Sequence, residues 1–237
     1  MSLVDLARTS SASQLTVDLD LDVAVLDTTE LRWFADGPLP PDVESWFTHS
    51  GTVGMVEDRC DTYRVDGRRD TGVKLRFRET LELKVRQPME ETLTLEPGLA
   101  GRLEAWRKWS PADGIADSDG HTALVDVCKR VIKRRFSAFG DEIVTGPPIG
   151  SGCEVEVAAI TVGDIQAWTF AFAAFGPTAT RQSSVHACWQ ALLADSPPPE
   201  VVGRSFSQSC GYPEWLDLAT QRGNLVPGER EPEPLAT

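Results

Sequence analysis

The chain has 237 residues, 41% of them hydrophobic, enough for one sizeable core, and a single domain on the large side for a β-rich fold is expected. Its net charge of −13 argues against broad binding to nucleic acid or to an anionic membrane, because such a footprint needs the opposite sign; any anion site must be local. No apolar run approaches the roughly 20 residues of a spanning helix, so no membrane partner is expected.

Residues 1–22 are polar and rich in Ser and Asp, and residues 221–237 form a Pro- and Glu-rich tail. Both ends are expected to be poorly ordered around a folded domain spanning 23–220. Period-2 alternation in "VAVLDTTELRWF", "TGVKLRFR", "LELKVR", "CKRVIKRRFS", "CEVEVAAITV" and "IQAWTFAFAAF" predicts strands. Three segments predict helices. "PPDVESWFTHSG" opens on prolines suited to a first turn. "PGLAGRLEAWRKW" sets Leu99, Leu103 and Trp106 at i, i+4 and i+7, and "ATRQSSVHACWQALLAD" does the same with Val185, Trp189 and Leu192. The expected fold is mainly β (α+β), a closed or strongly curved antiparallel β tunnel with a few covering helices.

The densest chemistry lies in "GVKLRFRETLELKVR". In extended chain Lys74, Arg76 and Arg78 share one face and Val73, Leu75 and Phe77 the other. Glu82, Lys84 and Arg86 repeat the pattern opposite Leu81, Leu83 and Val85. A loop centred on Thr80 would place Arg78 beside Glu82, Arg76 beside Lys84 and Lys74 beside Arg86, uniting the apolar face. Like charges placed directly opposite repel, so such a face costs stability unless an anion resides there. A solvated outer face is the alternative. "CKRVIKRRF" brings Lys133 and Arg135 onto a second strand in mixed phase, and two basic strands in an acidic chain point to a polar-lined concave sheet or barrel.

The order of these features resembles the CYTH, or triphosphate tunnel metalloenzyme, superfamily, which includes thiamine triphosphatases, inorganic triphosphatases and class IV adenylate cyclases. "CDTYRVDGRRDTGVKLRFRETLELKVR" is similar to that family's run of Asp-Thr, a variable arm, Gly, an LRxR strand and a strand bearing the tunnel lysine, and "SQSCGYPEWLDL" is similar to its Ser-Tyr-x-x-Leu-Leu ending. The likeness covers roughly Thr28 to Leu218. It implies a closed antiparallel tunnel binding a phosphorylated small molecule, with Arg76, Arg78 and Lys84 as phosphate ligands, and Mg or Mn as cofactor.

Departures accompany the likeness. The family's opening ExExK corresponds to Thr28, Glu30 and Arg32, so one metal ligand is missing and a planar guanidinium replaces an ammonium. A reduced metal set of Glu30 with Glu154 or Glu156 is expected, Mg needing one or two carboxylates besides phosphate oxygens and water. Glu30, Arg32 and Lys84 are the candidate catalytic residues. Where the last strand should carry Glu-x-Glu, the chain reads "AWTFAFAAFG".

Three functions follow: a divergent phosphohydrolase, a non-catalytic phosphate-ligand binder, or an enzyme acting on an organic phosphate or diphosphate with an apolar part, such as an isoprenoid diphosphate. In the last, cations at Lys74, Arg76, Arg78, Arg86, Lys133 and Arg135 hold the head group, and Trp168, Phe170 and Phe172 hold the body. The competing account turns those rings outward beneath a helix, with Thr169, Ala171 and Ala173 inward. Five cysteines, an odd number without a CxxC pair, and the lack of a charged-then-apolar leader lead to the expectation of buried free thiols in a reducing cytoplasm. Nothing in the sequence specifies an oligomeric state. His49, His121 and His186 are scattered and show no metal spacing.

Overall fold

β1 (Val23–Asp36) is the seam of the molecule: its first part pairs with β5 (Leu99–Pro111) and its second with β8 (Ile165–Phe175). The computed structural model describes residues 23–49, 55–76, 80–111, 123–143 and 150–223, so the expectation for 1–22 and, from 224 on, that for the C-terminal tail, together with Arg78 and His121, lie outside the described residues, while Gln221 of the expected tail ends a helix. The remaining strands are β2 (Met55–Val65), β3 (Thr71–Arg76), β4 (Thr80–Glu96), β6 (Ala123–Ser137) and β7 (Gly152–Val162). Around the ring the order is β5-β4-β3-β2-β6-β7-β8-β1, every pairing is antiparallel, and β1 against β5 closes an eight-stranded barrel. Closure removes the unpaired edges of an open sheet. A two-residue β9 (Gln208–Ser209) adds to β1 at Trp33 and Phe34.

The helices are α1 (Pro41–Thr48), α2 (Thr178–Asp195), the short α3 (Val201–Arg204) and α4 (Tyr212–Gln221). Pro41 opens α1 where its missing N–H would have had no partner. α1 and α2 press Val43, Trp46, Phe47, Val185, Cys188, Trp189 and Leu192 onto the outward residues of the wall, among them Leu31, Trp33, Ile132, Val155, Phe170 and Phe172. That outer core lies between barrel and helices. A second core fills one end of the barrel interior: Phe34, Tyr63, Val125, Val127 and Ile160, all on inward phases, meet Trp215 and Leu216 of α4. No described helix is long and apolar enough to cross a membrane.

Three expectations are corrected. "PGLAGRLEAWRKW" is strand β5, not a helix. Leu99 and Leu103 are four apart and share a face in either conformation; both are buried in the outer core, while Trp106 lies on the opposite, inward phase. In the β3–β4 hairpin Lys74 stands opposite Glu82, Gly72 opposite Lys84 and Arg76 opposite Thr80, so the expected facing of Arg76 with Lys84 and Lys74 with Arg86 does not occur. The slip is by an even number of residues, which keeps the faces and replaces the expected like-charge pairs by one opposite pair, Lys74 with Glu82, and two pairs with an uncharged partner. Finally, Cys60 and Cys128, register partners on β2 and β6 with Cα atoms 4.0 Å apart, form a disulfide, so the free-thiol argument for a reducing compartment fails for them. Cys153, Cys188 and Cys210 are free and buried, as expected of filler.

Candidate functional site

The inward phases of the barrel strands enclose a cavity of about 220 Å³. β1 contributes Thr28, Glu30 and Arg32, β2 Arg59 and Tyr63, β3 Lys74 and Arg76, and β4 Glu82 and Lys84. β5 adds Trp106 and Lys108, β6 Lys129 and Lys133, β7 Glu154 and Glu156, and β8 Ala171 and Ala173. At the helical end, Gly211, Tyr212 and Pro213 close the space. The fit there is close: a Cβ on Gly211 would lie 2.8 Å from Trp106 Cζ2, which requires glycine, and one on Gly72 would come 3.0 Å from Pro213 Cγ, a tight contact. α4 is held in place by Arg69, whose Nε donates to Asp217 Oδ2 at 2.6 Å, and by Arg86 and Arg102, which both pair with Glu214.

Among the described residues, eight basic side chains and four carboxylates line this cavity. The carboxylates are shared. Glu82 lies 2.9 Å from Lys74 and 3.6 Å from both Arg76 and Lys108. Burial alone would raise its pKa, but the charges of Lys74 and Lys108 outweigh burial and hold it at about 2. Glu156 accepts from Arg32 at 2.9 Å and has Lys133 at 4.0 Å. Burial opposes its charge, yet Arg32 and Lys133 keep its pKa well below the carboxylate range. Glu30 accepts from Lys84 and, at 2.8 Å, from Thr28 Oγ1; Lys84 and Arg32 again outweigh burial and lower its pKa. Glu154 takes Lys133 at 2.7 Å and Arg135 at 3.0 Å.

Across β4 and β5 Lys84 and Lys108 are direct register partners. The like-charge opposition expected within the hairpin therefore occurs one strand further on. Burial lowers the Lys108 pKa, and Lys74, Lys84 and Arg76 lower it further.

The carboxylates expected to hold a metal do not form a centre. Among the described residues no group of three or more His, Cys, Asp or Glu is arranged around a common point. Glu30, Glu154 and Glu156 are each already neutralised by a lysine or arginine, and β8 turns Ala171 and Ala173 inward between them. A divalent ion bound there would have to displace those cations, so the donor set does not fit Mg or Mn.

Trp168, Phe170 and Phe172 are not substrate-facing. All three are buried in the outer core, where Phe170 stacks on Trp33 at 6.1 Å and meets Trp46 at 6.0 Å and Trp189 at 6.2 Å. The two phases of β8 divide by size, because the wall under α1 and α2 needs bulk while the crowded inward phase takes Thr169 and alanines. Arg86 is also corrected: it is on the inward phase but below the cavity, donating to Glu104 at 2.8 Å and Glu214 at 3.2 Å. Arg135 does not line the cavity itself but meets the lumen carboxylate Glu154 at 3.0 Å. Glu30, Arg32, Lys74, Arg76, Lys84, Lys133, Glu154 and Glu156 are brought together as expected.

Compared with known proteins, the chain matches no family model and no curated protein.

Residues missed from the sequence are Arg59, Tyr63, Glu82, Trp106, Lys108, Lys129 and Tyr212. β2 shows no apolar face in its sequence, because "MVEDRCDTYRV" alternates between two largely polar faces, and the Leu99, Leu103, Trp106 spacing of β5 also fits a helix. The alternation of Arg102, Glu104, Trp106 and Lys108 was the available signal for β5.

Proposed function

We propose that the barrel captures a small organic phosphate, diphosphate or triphosphate in its lumen. The observation that carries this reading is the excess of cations around the cavity of a chain whose net charge is −13, with Lys84 opposed directly to Lys108. An anion between those ammonium groups would relieve the repulsion and add charged hydrogen bonds. The resemblance to the CYTH superfamily supports the same reading, and divergent membership is part of the proposal. Action on the ligand's phosphate would then come from cations stabilising charge on a phosphoryl or diphosphate leaving group. The isoprenoid version loses its support, since the rings invoked to hold an apolar body are outside the lumen. The Mg-assisted version is set aside because the carboxylates are already engaged.

Calorimetric titration with pyrophosphate, tripolyphosphate and nucleotides tests the reading. Binding is expected, and Arg76→Ala should weaken it about tenfold or more, the worth of one charged hydrogen bond of roughly 1.5–3 kcal/mol. Failure of all three ligand classes to bind, or indifference to Arg76→Ala, refutes it. Phosphate release measured on the same panel separates an enzyme from a binder.

A further inference from the structure

Lys129 differs from the other cations of the lumen. Its side chain is 2% exposed, and its Nζ donates to Tyr63 Oη at 2.8 Å. Its nearest described carboxylate oxygen, Asp61 Oδ2, is 3.9 Å away and already engaged by Arg59 at 3.2 Å and Lys74 at 3.3 Å. Of the other seven described cations lining the cavity, only Lys108 lacks a described carboxylate oxygen within 3.3 Å. The second oxygen of Asp61, Oδ1, is buried and has no hydrogen-bond partner among the described residues. The cluster thus combines an enclosed amine, a phenol and a carboxylate with spare accepting capacity, beside a cavity edged by cations.

The protonation state of the amine follows from competing effects. The ring of Tyr212, with its centroid 3.6 Å from Nζ, favours an ammonium, as do Asp61 and Glu156. Burial, joined by the charges of Lys74 and Arg59, outweighs them and pushes the Lys129 pKa well below the ordinary lysine value. Burial also raises the Tyr63 phenol, which stays protonated as a donor.

We propose that Lys129 is a nucleophilic amine that captures the carbonyl carbon of a small phosphorylated aldehyde or ketone as a Schiff base. The inference rests on the anion-binding reading, because the surrounding cations orient the ligand by its phosphate. The Nζ lone pair bonds to the carbonyl carbon, and the carbonyl oxygen departs as water with the two amine protons, passed by way of the Tyr63 hydroxyl, leaving a neutral imine. When the imine is protonated, Asp61 faces the new positive charge.

The test uses the full chain with glyceraldehyde 3-phosphate as probe and sodium cyanoborohydride as reductant, which converts the imine to a stable secondary amine located by peptide mass spectrometry. Lys129 should be labelled about tenfold faster or more than Lys84 or Lys133, whose amines are held by Glu30 and Glu154. Lys129→Arg should remove that adduct and Tyr63→Phe should slow its formation; should either fail to fold, the label distribution in the unaltered protein decides. Labelling spread evenly over the lysines, or absent from Lys129, overturns the proposal. Parallel titration with pyrophosphate separates the two readings. Pyrophosphate binding with Lys129 unlabelled overturns the Schiff base alone. Selective Lys129 labelling by both glyceraldehyde 3-phosphate and unphosphorylated glyceraldehyde, with no pyrophosphate binding, supports the Schiff base and overturns the anion-binding reading.

Discussion

Lys74 Nζ lies 2.9 Å from Glu82 Oε2, the two residues standing directly opposite each other across the β3–β4 hairpin. With Arg76 and Lys108 each at 3.6 Å, Glu82 neutralises a face that would otherwise repel itself. Its pKa falls from an ordinary 4.5 to about 2, a depressed acid, so the stability it contributes is present above pH 4.5 and is lost as pH falls through 2. The melting temperature should therefore decline over that window. Glu82→Gln should lower it at neutral pH and flatten the decline, with Glu30 and Glu156 supplying the remainder. Melts of the two proteins across pH 2–7 check this; parallel curves would show that Glu82 is not the linked group.

Phe170 and Ala171 are chain neighbours in different compartments. Phe170→Ala should cost about 3–5 kcal/mol of stability by opening a cavity against Trp33, Trp46 and Trp189. Pyrophosphate affinity, measured well below the melting temperature, should stay near that of the unaltered protein. A large loss of affinity with stability intact would return Phe170 to the ligand site.

Ala171 is the register partner of Arg32 on one side and Glu156 on the other. Ala171→Glu adds a fifth carboxylate to the lumen and a competitor for Arg32, so anion binding should weaken about tenfold or more. Ala171→Gln, close in size but uncharged, should weaken it less. Equal losses in the two variants would assign the effect to volume rather than charge.

The Cys60–Cys128 bond spans 68 residues of sequence, and removing it as the double serine variant should cost on the order of 2–4 kcal/mol in denaturant unfolding. In the native, unreduced protein Cys153, Cys188 and Cys210 should resist alkylation, since burial pushes Cys153 well up and Cys210 to about 12. Mass spectrometry after alkylation with and without denaturant should count none and then three modified thiols.

Local alternation made much of the barrel and half of its site legible. Along β1, β3, β4 and β7 polar and apolar residues take turns, and since side-chain phase in a strand is a property of adjacent residues, alternation grouped Lys74 with Arg76 and Glu154 with Glu156, while the family resemblance brought Glu30, Arg32, Lys84 and the β7 pair to one site. The amphipathic spacing of α1 and α2 was equally local.

What only the tertiary structure decided was which face turned inward and what met it there. β8 carries little polarity to mark its phase, so the packing of α1 and α2 settled that Phe170 went out and Ala171 in. Leu99 and Leu103 fit helix and strand alike until β5 paired with β1 and β4. The disulfide, the opposition of Lys84 to Lys108 and the stopper formed by Tyr212 join residues far apart in the chain. Such contacts depend on long-range register and on closure of the ring, which are set by the summed packing of the whole barrel and leave no periodic trace in any one segment.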